Sequence, residues 1–307
     1  MQGRTVIVTG AGKGLGRAYA DAFAREGAHV VVNDIATDES GEPLAERVAE
    51  QLRGTGAAAV SAPYSVADPE GAEAVVDTAV AHFGRVDALV NNAGIVYGGS
   101  LVEQAHEDFR RMVDVHLMGT FLTSRAAFRR MAEQGGGSIL NTVSTIGLFG
   151  MAGMASYAAA KGGILGLSHV LAIEGAEHGI RVNALAPMAD TNPGRTKGAE
   201  EFFAPMGRRA AAEYVAPFAV FLAGSDAAGT GGVYSAAGGR YARVATVLGD
   251  GWISPGPNPP TVEEIAAGFD TIRDLRPGHE LERMQEEVRL INQRLAELGN
   301  TRALVGE

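Results

Sequence analysis

Short apolar runs alternate with longer amphipathic segments along most of this chain, and this alternation restricts the possible folds more than any other feature. The runs with strand character are Thr5–Thr9, His29–Asn33, Ala58–Ala62, Val86–Asn91, Ser138–Val143, Arg181–Leu185 and Gly232–Ala236. Helix-length segments lie between them, among them Leu15–Glu26, Pro69–Phe83, Glu107–Ala132 and Ala155–Glu177. The nearly unbroken apolar character of the first, second and fourth runs is typical of parallel strands covered on both faces. The pattern predicts an α/β fold with one doubly wound, seven-stranded parallel sheet in residues 1–253.

Residues 254–307 differ in character and are predicted to form a C-terminal extension with two helices. A proline-rich connector, Ser254–Pro260, precedes Thr261 and Glu264, whose spacing is that of a capping box at a helix start. The segment Glu280–Leu298 carries apolar residues at heptad spacing: Leu281, Met284, Val288, Ile291, Leu295 and Leu298. This stripe packs either on its own subunit or against another copy, and the spacing leaves both open.

Composition excludes several classes of function. The 307 residues include no cysteine, which excludes disulfides, thiolate metal sites and cysteine nucleophiles, and we predict no metal site. A net charge of −10 argues against a nucleic-acid partner. No apolar stretch reaches membrane-spanning length, and neither a signal peptide nor a C-terminal peroxisomal signal is present, so we expect a cytoplasmic protein with no membrane partner.

A glycine-rich loop follows the first strand, with the sequence Thr9-Gly-Ala-Gly-Lys-Gly-Leu-Gly16. Glycines at these positions allow a tight turn and a close approach to a pyrophosphate, whose charge lies at the N-terminus of the following helix. The position of the loop, after the first strand of an alternating pattern, favours a dinucleotide site over an ordinary turn. We expect contacts to the cofactor from Gly10, Gly12, Lys13, Gly14, Leu15 and Gly16.

The end of the second strand predicts which dinucleotide is bound. Asp34 lies eighteen residues after Gly16, where a carboxylate accepts hydrogen bonds from ribose hydroxyls and repels a 2′-phosphate. Lys13 favours NADP instead, because its positive charge suits that phosphate. We give Asp34 more weight and predict NAD, with Ile35 as a further contact.

The strongest catalytic candidates are Ser144, Tyr157 and Lys161. Tyr157 and Lys161 are four residues apart on a predicted helix and therefore share one face. An ammonium beside a phenol is expected to lower the pKa of the phenol, which makes the tyrosine a usable acid or base. Ser144 follows the fifth strand, and its hydroxyl suits a hydrogen bond to the same substrate oxygen. Lysine is scarce in this chain, with Lys13, Lys161 and Lys197 as the only examples, so a chance Tyr–Lys pair is uncommon.

Together with Asn91-Asn92-Ala93-Gly94, these motifs resemble the short-chain dehydrogenase/reductase family over residues 3 to about 240. The resemblance implies a Rossmann domain, with Ser144, Tyr157 and Lys161 as the catalytic group. It also implies that Lys161 binds the nicotinamide ribose and that Tyr157 exchanges the substrate proton. Further cofactor contacts are expected from Asn92, Ala93 and Gly94, and the assembly is expected to be a tetramer or dimer.

One branch of the family, the (3R)-hydroxyacyl-CoA dehydrogenase domain of peroxisomal multifunctional enzymes, is similar in several stretches. These are Gly16–Ala20, Val31–Asp34, Asp114–Leu117, Leu171–Gly175 and Glu213–Pro217. The likeness implies NAD-dependent oxidation of a (3R)-3-hydroxyacyl-CoA by a free-standing dehydrogenase without the hydratase domain. A hydroxysteroid or other alicyclic alcohol is the alternative substrate. An NAD-sensing binding protein without turnover is the alternative from another class.

The chain departs from the family pattern at three places. His116 stands where the wider family has Asn; it is either a catalytic contributor to a proton relay or a helix-packing residue. Tyr64-Ser65-Val66 replaces the aspartate expected at adenine, so Ser65 and the backbone of Val66 are the predicted contacts. The Pro-Gly turn after the sixth strand becomes Pro187-Met188, with Pro187 still predicted near the nicotinamide and Thr191 one position early.

The loop 189–207 is predicted to close over the substrate. It carries Phe202, Phe203, Pro205 and Met206, and its cations Arg195 and Lys197, with Arg208 and Arg209 just beyond, are either contacts for coenzyme A phosphates or solvated surface groups.

Overall fold

The structure is a computed structural model that describes residues 1–191, 201–224, 229–254 and 258–297. Contacts between residues divide the chain into two units, Met1–Arg243 and Val244–Glu307. The change of character predicted from sequence lies ten residues later, at residue 254. That the two predicted parts act as separate domains stays a prediction.

The first unit alternates strands and helices as the sequence predicts. Its elements up to the fourth strand are β1 (Thr5–Thr9), α1 (Gly14–Arg25), β2 (His29–Asn33), α2 (Leu44–Gly54), β3 (Ala59–Ala62), α3 (Pro69–Phe83) and β4 (Ala88–Asn91). The remainder are α4 (His106–Val113), α5 (Gly119–Glu133), β5 (Gly137–Thr142), α6 (Thr145–Phe149), α7 (Ala155–Ala176), β6 (Ile180–Met188), α8 (Ala216–Ala223), β7 (Val233–Ala237) and β8 (Arg240–Val244). Short 3₁₀ turns occupy Ala204–Ala210 and Ala212–Tyr214.

The strands form one sheet in the order β3-β2-β1-β4-β5-β6-β7-β8. All pairs from β3 to β7 are parallel, which confirms the predicted doubly wound sheet. The sheet has eight strands rather than seven because β8 follows β7 through the two-residue connection Gly238-Gly239, a hairpin length. The sequence prediction lacked β8 because arginines at positions 240 and 243 interrupt this mostly exposed strand, so no apolar run marks it.

The core lies on both faces of the sheet. Alternate residues of β1 point to opposite sides, so Val6 and Val8 join one buried cluster and Ile7 joins the other. Chain order reverses between β1 and β4, which are neighbours in the sheet. This reversal opens a crevice at the carboxyl ends of the two strands, where ligands bind in folds of this type.

The helix predicted over Glu107–Ala132 is interrupted. A π-helical segment, Asp114–Met118, joins α4 to α5. Such wide turns occur frequently at functional sites, and this one carries His116.

The second unit contains the antiparallel pair β9 (Val247–Gly249) and β10 (Gly278–Glu280), with helices α9 (Val262–Ile272) and α10 (Met284–Glu297). The predicted capping box is confirmed: Thr261 N–H donates to Glu264 Oε2 at 2.8 Å, and Glu264 N–H donates to Thr261 Oγ1 at 3.2 Å. Leu298, the last residue of the predicted stripe, lies outside the described residues. Met284, Val288 and Ile291 are exposed, and the partner of this stripe stays a prediction.

Across the described residues, no helix combines the length and the apolar character needed to cross a membrane.

Candidate active site

The glycine loop packs against the segment that follows β4. Gly10 and Gly14 have φ values of 64° and 59°, a backbone conformation that favours glycine. A Cβ on Gly10 would lie 2.7 Å from Ala93 Cα, and a Cβ on Gly16 would lie 2.1 Å from the Gly10 carbonyl oxygen. Close backbone packing therefore requires glycine at both positions. Lys13 is the N-cap residue of α1, so the loop brings backbone N–H groups to a helix N-terminus.

A hydroxyl and an amide hold the carboxyl ends of β1 and β4 together. Thr9 Oγ1 accepts from Asn92 N–H at 2.9 Å and from Ala93 N–H at 3.0 Å. Asn92 Nδ2 donates to the carbonyl oxygens of Thr9 at 3.0 Å and Gly10 at 3.3 Å. The sequence predicted Asn92 and Ala93 at this edge but missed Thr9. A hydroxyl directly before the glycine loop was the signal.

Asp34 reaches the glycine loop. Its Oδ2 accepts from Gly12 N–H at 2.9 Å, and its Oδ1 accepts from Ala36 N–H at 2.9 Å. A Cβ on Gly12 would lie 2.7 Å from Asp34 Oδ2. The carboxylate is half-buried and shapes the loop, and each oxygen keeps a further acceptor position. Ile35 beside it is exposed.

The predicted adenine contacts follow β3. Asn33 Nδ2 donates to the carbonyl oxygens of Ala62 at 2.7 Å and Tyr64 at 2.8 Å, which fixes this segment beside β2. Ser65 Oγ accepts from Ala67 N–H at 3.3 Å, and the Val66 side chain is buried. Contact of Ser65 and Val66 with adenine stays a prediction.

Ser144, Tyr157 and Lys161 converge as predicted. Ser144 is the N-cap residue of α6, where its Oγ accepts from Ile146 N–H at 3.1 Å, and it is hydrogen-bonded to the Tyr157 side chain. Lys161 is buried, and its Nζ donates to the Thr142 carbonyl oxygen at 2.6 Å while lying 5.7 Å from the centre of the Tyr157 ring. Three elements, α6, α7 and β5, therefore contribute to one constellation.

Burial changes the acid–base properties of this constellation. It lowers the pKa of Lys161 from 10.5 to about 7 because the charged amine loses its solvent. Burial also raises the pKa of Tyr157, and the hydrogen bond from Ser144 opposes that rise. The direction for Tyr157 is opposite to the one expected from sequence. Spacing along a helix does not report how much solvent the phenol loses, and here that loss dominates.

His116 joins the same constellation from the π-helical segment. Its ring is buried and meets the Tyr157 ring edge-on, with 5.3 Å between the ring centres. His116 Nε2 lies 3.1 Å from Ile95 N and 2.7 Å from Ile95 O, so it either accepts from the amide or donates to the carbonyl, according to its tautomer. Burial, followed by the charge of Lys161, lowers the pKa of His116 to about 3. The imidazole is therefore neutral at ordinary pH.

The His116 imidazole occupies the space that a side chain at position 94 would need. A Cβ on Gly94 would lie 2.2 Å from His116 Cε1. The sequence predicted Gly94 as a cofactor contact; in the structure its missing side chain also makes room for the imidazole.

The segment after β6 differs in part from the prediction. Pro187 and Met188 form the end of β6, with Pro187 paired to Ala236, instead of a turn beyond the strand. Thr191 lies over the glycine loop, since a Cβ on Gly14 would lie 3.1 Å from Thr191 Cβ. Arg195 and Lys197 fall outside the described residues, whereas Arg208 and Arg209 are exposed.

A buried network of polar side chains beneath the site was not predicted. Asn91 Nδ2 donates to Ser124 Oγ at 2.8 Å and to Asn141 Oδ1 at 2.9 Å. Asn141 Nδ2 donates to Ser168 Oγ at 2.9 Å. The network joins β4, β5, α5 and α7. Its signal in the sequence was an amide near the end of each of two buried strands, Asn91 in β4 and Asn141 in β5.

Residues 4–200 match the short chain dehydrogenase family. The chain belongs to this family. It is therefore an oxidoreductase, and membership implies a nicotinamide cofactor, NAD or NADP.

Relatives in sequence and structure extend the comparison. A short-chain type dehydrogenase/reductase of Mycobacterium tuberculosis is 39% identical over 280 residues, which cover 90% of this chain and 96% of that protein. Peroxisomal multifunctional enzyme type 2 of Mus musculus is 38% identical over 289 residues, 92% of this chain and 38% of the mouse protein. A crystal structure of a short chain dehydrogenase from Mycobacterium avium has a TM-score of 0.79 at 36% identity, covering 89% of this chain and 97% of that one. Full-length peroxisomal multifunctional enzyme type 2 of Drosophila melanogaster has a TM-score of 0.81 at 30% identity, covering 97% of this chain and 50% of that one.

Proposed function

We propose that the chain is an NAD-dependent dehydrogenase that interconverts a secondary alcohol and a ketone, with a (3R)-3-hydroxyacyl-CoA as the favoured substrate. The observation that carries the reaction type is the convergence of Tyr157, Ser144 and buried Lys161 at the carboxyl edge of the sheet. The multifunctional-enzyme relatives support the substrate class. This chain corresponds to 38% of the mouse protein, so that protein's activities reach this chain only as part of the proposal.

The glycine loop supports a dinucleotide cofactor. The positions of Gly10, Gly12 and Gly16 have no room for a side chain, and the loop ends at the N-terminus of α1. Asp34 supports NAD rather than NADP because its carboxylate lies at this loop, where it would bind ribose hydroxyls and repel a 2′-phosphate. Lys13 is exposed and stays the opposing argument.

The nicotinamide of such a cofactor supplies the hydride acceptor or donor, and the residues of the chain handle the proton. In oxidation, Tyr157 acts as the phenolate, and its oxygen takes the hydroxyl proton of the alcohol as the carbon–hydrogen bond of the alcohol breaks. Ser144 Oγ donates a hydrogen bond to the substrate oxygen and orients it. When the buried amine of Lys161 is protonated, its positive charge favours the phenolate form of Tyr157, against the burial that raises the pKa of the phenol. Because Lys161 is buried and Tyr157 is half-buried, the proton transfer is largely shielded from bulk water.

The test compares substrates and variants while following the absorbance of reduced nicotinamide. NAD and NADP are supplied with (3R)- and (3S)-3-hydroxyacyl-CoA and with hydroxysteroids. We expect the highest kcat/KM with NAD and the (3R) thioester, loss of turnover in Tyr157→Phe, and unchanged NAD binding in that variant. Tyr234→Phe makes the same change in β7 and serves as the control.

Other outcomes decide between the remaining functions. A higher kcat/KM for steroid alcohols would assign the alternative substrate. NAD binding without turnover of any alcohol or ketone would indicate a cofactor-sensing protein. A cytoplasmic location and an assembly of two or four chains belong to the same proposal, and light scattering measures the assembly.

A further inference from the structure

A tight turn after β4 approaches the start of the helix that carries Tyr157. The Ser100 carbonyl oxygen accepts from Glu103 N–H at 3.1 Å and from Gln104 N–H at 3.0 Å, which closes the turn. Leu101 and Val102 at its top are 78% and 93% exposed. Gln104 at its base is half-buried. The turn therefore directs one polar side chain toward the body of the unit.

That side chain meets the first turn of α7. Gln104 Nε2 donates to Ser156 Oγ at 2.6 Å, and Ser156 is fully buried. Ser156 immediately precedes Tyr157. A second bond, from Gly99 N–H to the Gly153 carbonyl oxygen at 2.9 Å, joins the same two segments of chain. The turn after β4 is thus tied to α7 directly beside the tyrosine.

The start of α7 lacks the usual means of fixing a helix N-terminus. Its N-cap residue is Met154, which makes no side-chain capping bond. The first turn of a helix has unpaired N–H groups and frays unless side chains or neighbours hold it. Tyr157 lies in this first turn, so any fraying displaces the phenol from Ser144. The Gln104–Ser156 bond supplies the restraint that the cap does not.

We propose that Gln104 is a positioning residue for Tyr157, acting through Ser156 on the first turn of α7. The proposal rests on the proposed function, in which Tyr157 exchanges the substrate proton. Among the hydrogen bonds of the described residues, Gln104 is linked to α7 through Ser156, so its effect falls on the rate of the chemical step and not on cofactor binding.

Three variants test this link. Gln104→Leu keeps the size of the side chain and removes the donor, Ser156→Ala removes the acceptor, and the double variant closes a thermodynamic cycle. We expect each single change to lower kcat about tenfold, the equivalent of one hydrogen bond, while KM and the Kd for NAD stay within about twofold. The double variant should lose no more than either single one, because both remove the same bond. Gln104→Glu should recover part of the rate, since a carboxylate can accept from the Ser156 hydroxyl. Gln51→Leu makes the same substitution on α2 and is the matched control.

The pKa of Tyr157 gives a second measurement that requires no substrate. It is followed by carbon-13 NMR of labelled tyrosine in the NAD complex, with the resonance assigned by Tyr157→Phe. Gln104→Leu should raise the pKa further, because a displaced phenol loses the Ser144 hydrogen bond that lowers it. Two results would overturn the proposal. One is additive losses of kcat in the double variant, and the other is a Gln104→Leu variant that loses thermal stability while its Tyr157 pKa stays unchanged. Absence of turnover in the wild-type enzyme would instead overturn the proposed function, and the NMR result would still decide the positioning role.

Discussion

Adding one methyl group at Gly94 should expose the dependence of the site on the packing of His116. A Cβ added at this position would lie 2.2 Å from His116 Cε1, whereas ordinary contact begins near 3.4 Å. The imidazole must therefore retreat by about 1.2 Å or the backbone must shift, and overpacking of this kind costs about 1–3 kcal/mol of unfolding free energy. Retreat would also separate His116 from Ile95 and from the Tyr157 ring.

Urea unfolding followed by far-ultraviolet circular dichroism measures this cost in Gly94→Ala. The same substitution is then made in a His116→Ala background, where the imidazole is gone. We expect the cost of the added methyl group to fall below about 0.5 kcal/mol there. Gly166→Ala is the matched control. Gly166 lies on α7 with nothing within 4 Å of the added Cβ, so the variant should gain up to about 1 kcal/mol of unfolding free energy from helix propensity. An equal loss of unfolding free energy from Gly94→Ala in both backgrounds would refute the reasoning, because the added methyl group would then not be clashing with His116.

Two further predictions follow from the buried amine and from the acidic residue after β2. Burial lowers the pKa of Lys161 to about 7, so the unfolded chain binds one more proton than the folded chain from there up to 10.5. The unfolding free energy of the wild type should rise with pH in this window relative to Lys161→Met, by at most about 1.4 kcal/mol per pH unit, and parallel urea-derived curves for the two proteins would contradict this. Asp34→Ala should weaken NAD binding about tenfold because ribose hydrogen bonds are lost. It should also reduce the ratio between the affinities for NAD and NADP, and titration calorimetry measures both. Asp21→Ala removes a half-buried carboxylate on α1 that pairs with Arg17, and it should leave both affinities unchanged.

Local patterns were sufficient for much of the fold. The bounds of β1, β2 and α3 agree with the sequence prediction because each coincides with an uninterrupted apolar run or a proline-started amphipathic segment. Convergence of Ser144, Tyr157 and Lys161 was also predictable. Tyr157 and Lys161 are four residues apart on one helix, and Ser144 follows a strand that ends at the same edge of the sheet. In a parallel sheet these positions bring the three side chains close together.

Other features depend on residues far apart in the chain. Gln104 and Ser156 are 52 positions apart, and nothing in either segment indicates that a glutamine restrains the tyrosine helix. The edge strand β8 has no apolar run because an edge position does not require one. The division of the predicted helix over Glu107–Ala132 by a π-helical segment likewise left no pattern in its apolar spacing.

The sequence by itself determined the alternation of strands and helices through β7, the glycine loop and the identity of the candidate catalytic side chains. These follow from interactions within a few residues of one another. Only the tertiary structure decided the electrostatics of the site: Tyr157 has a raised pKa, Lys161 a lowered one, and His116 is neutral. The physical reason is that burial is a property of the packed fold, and desolvation outweighs the charge relations that spacing along a helix suggests.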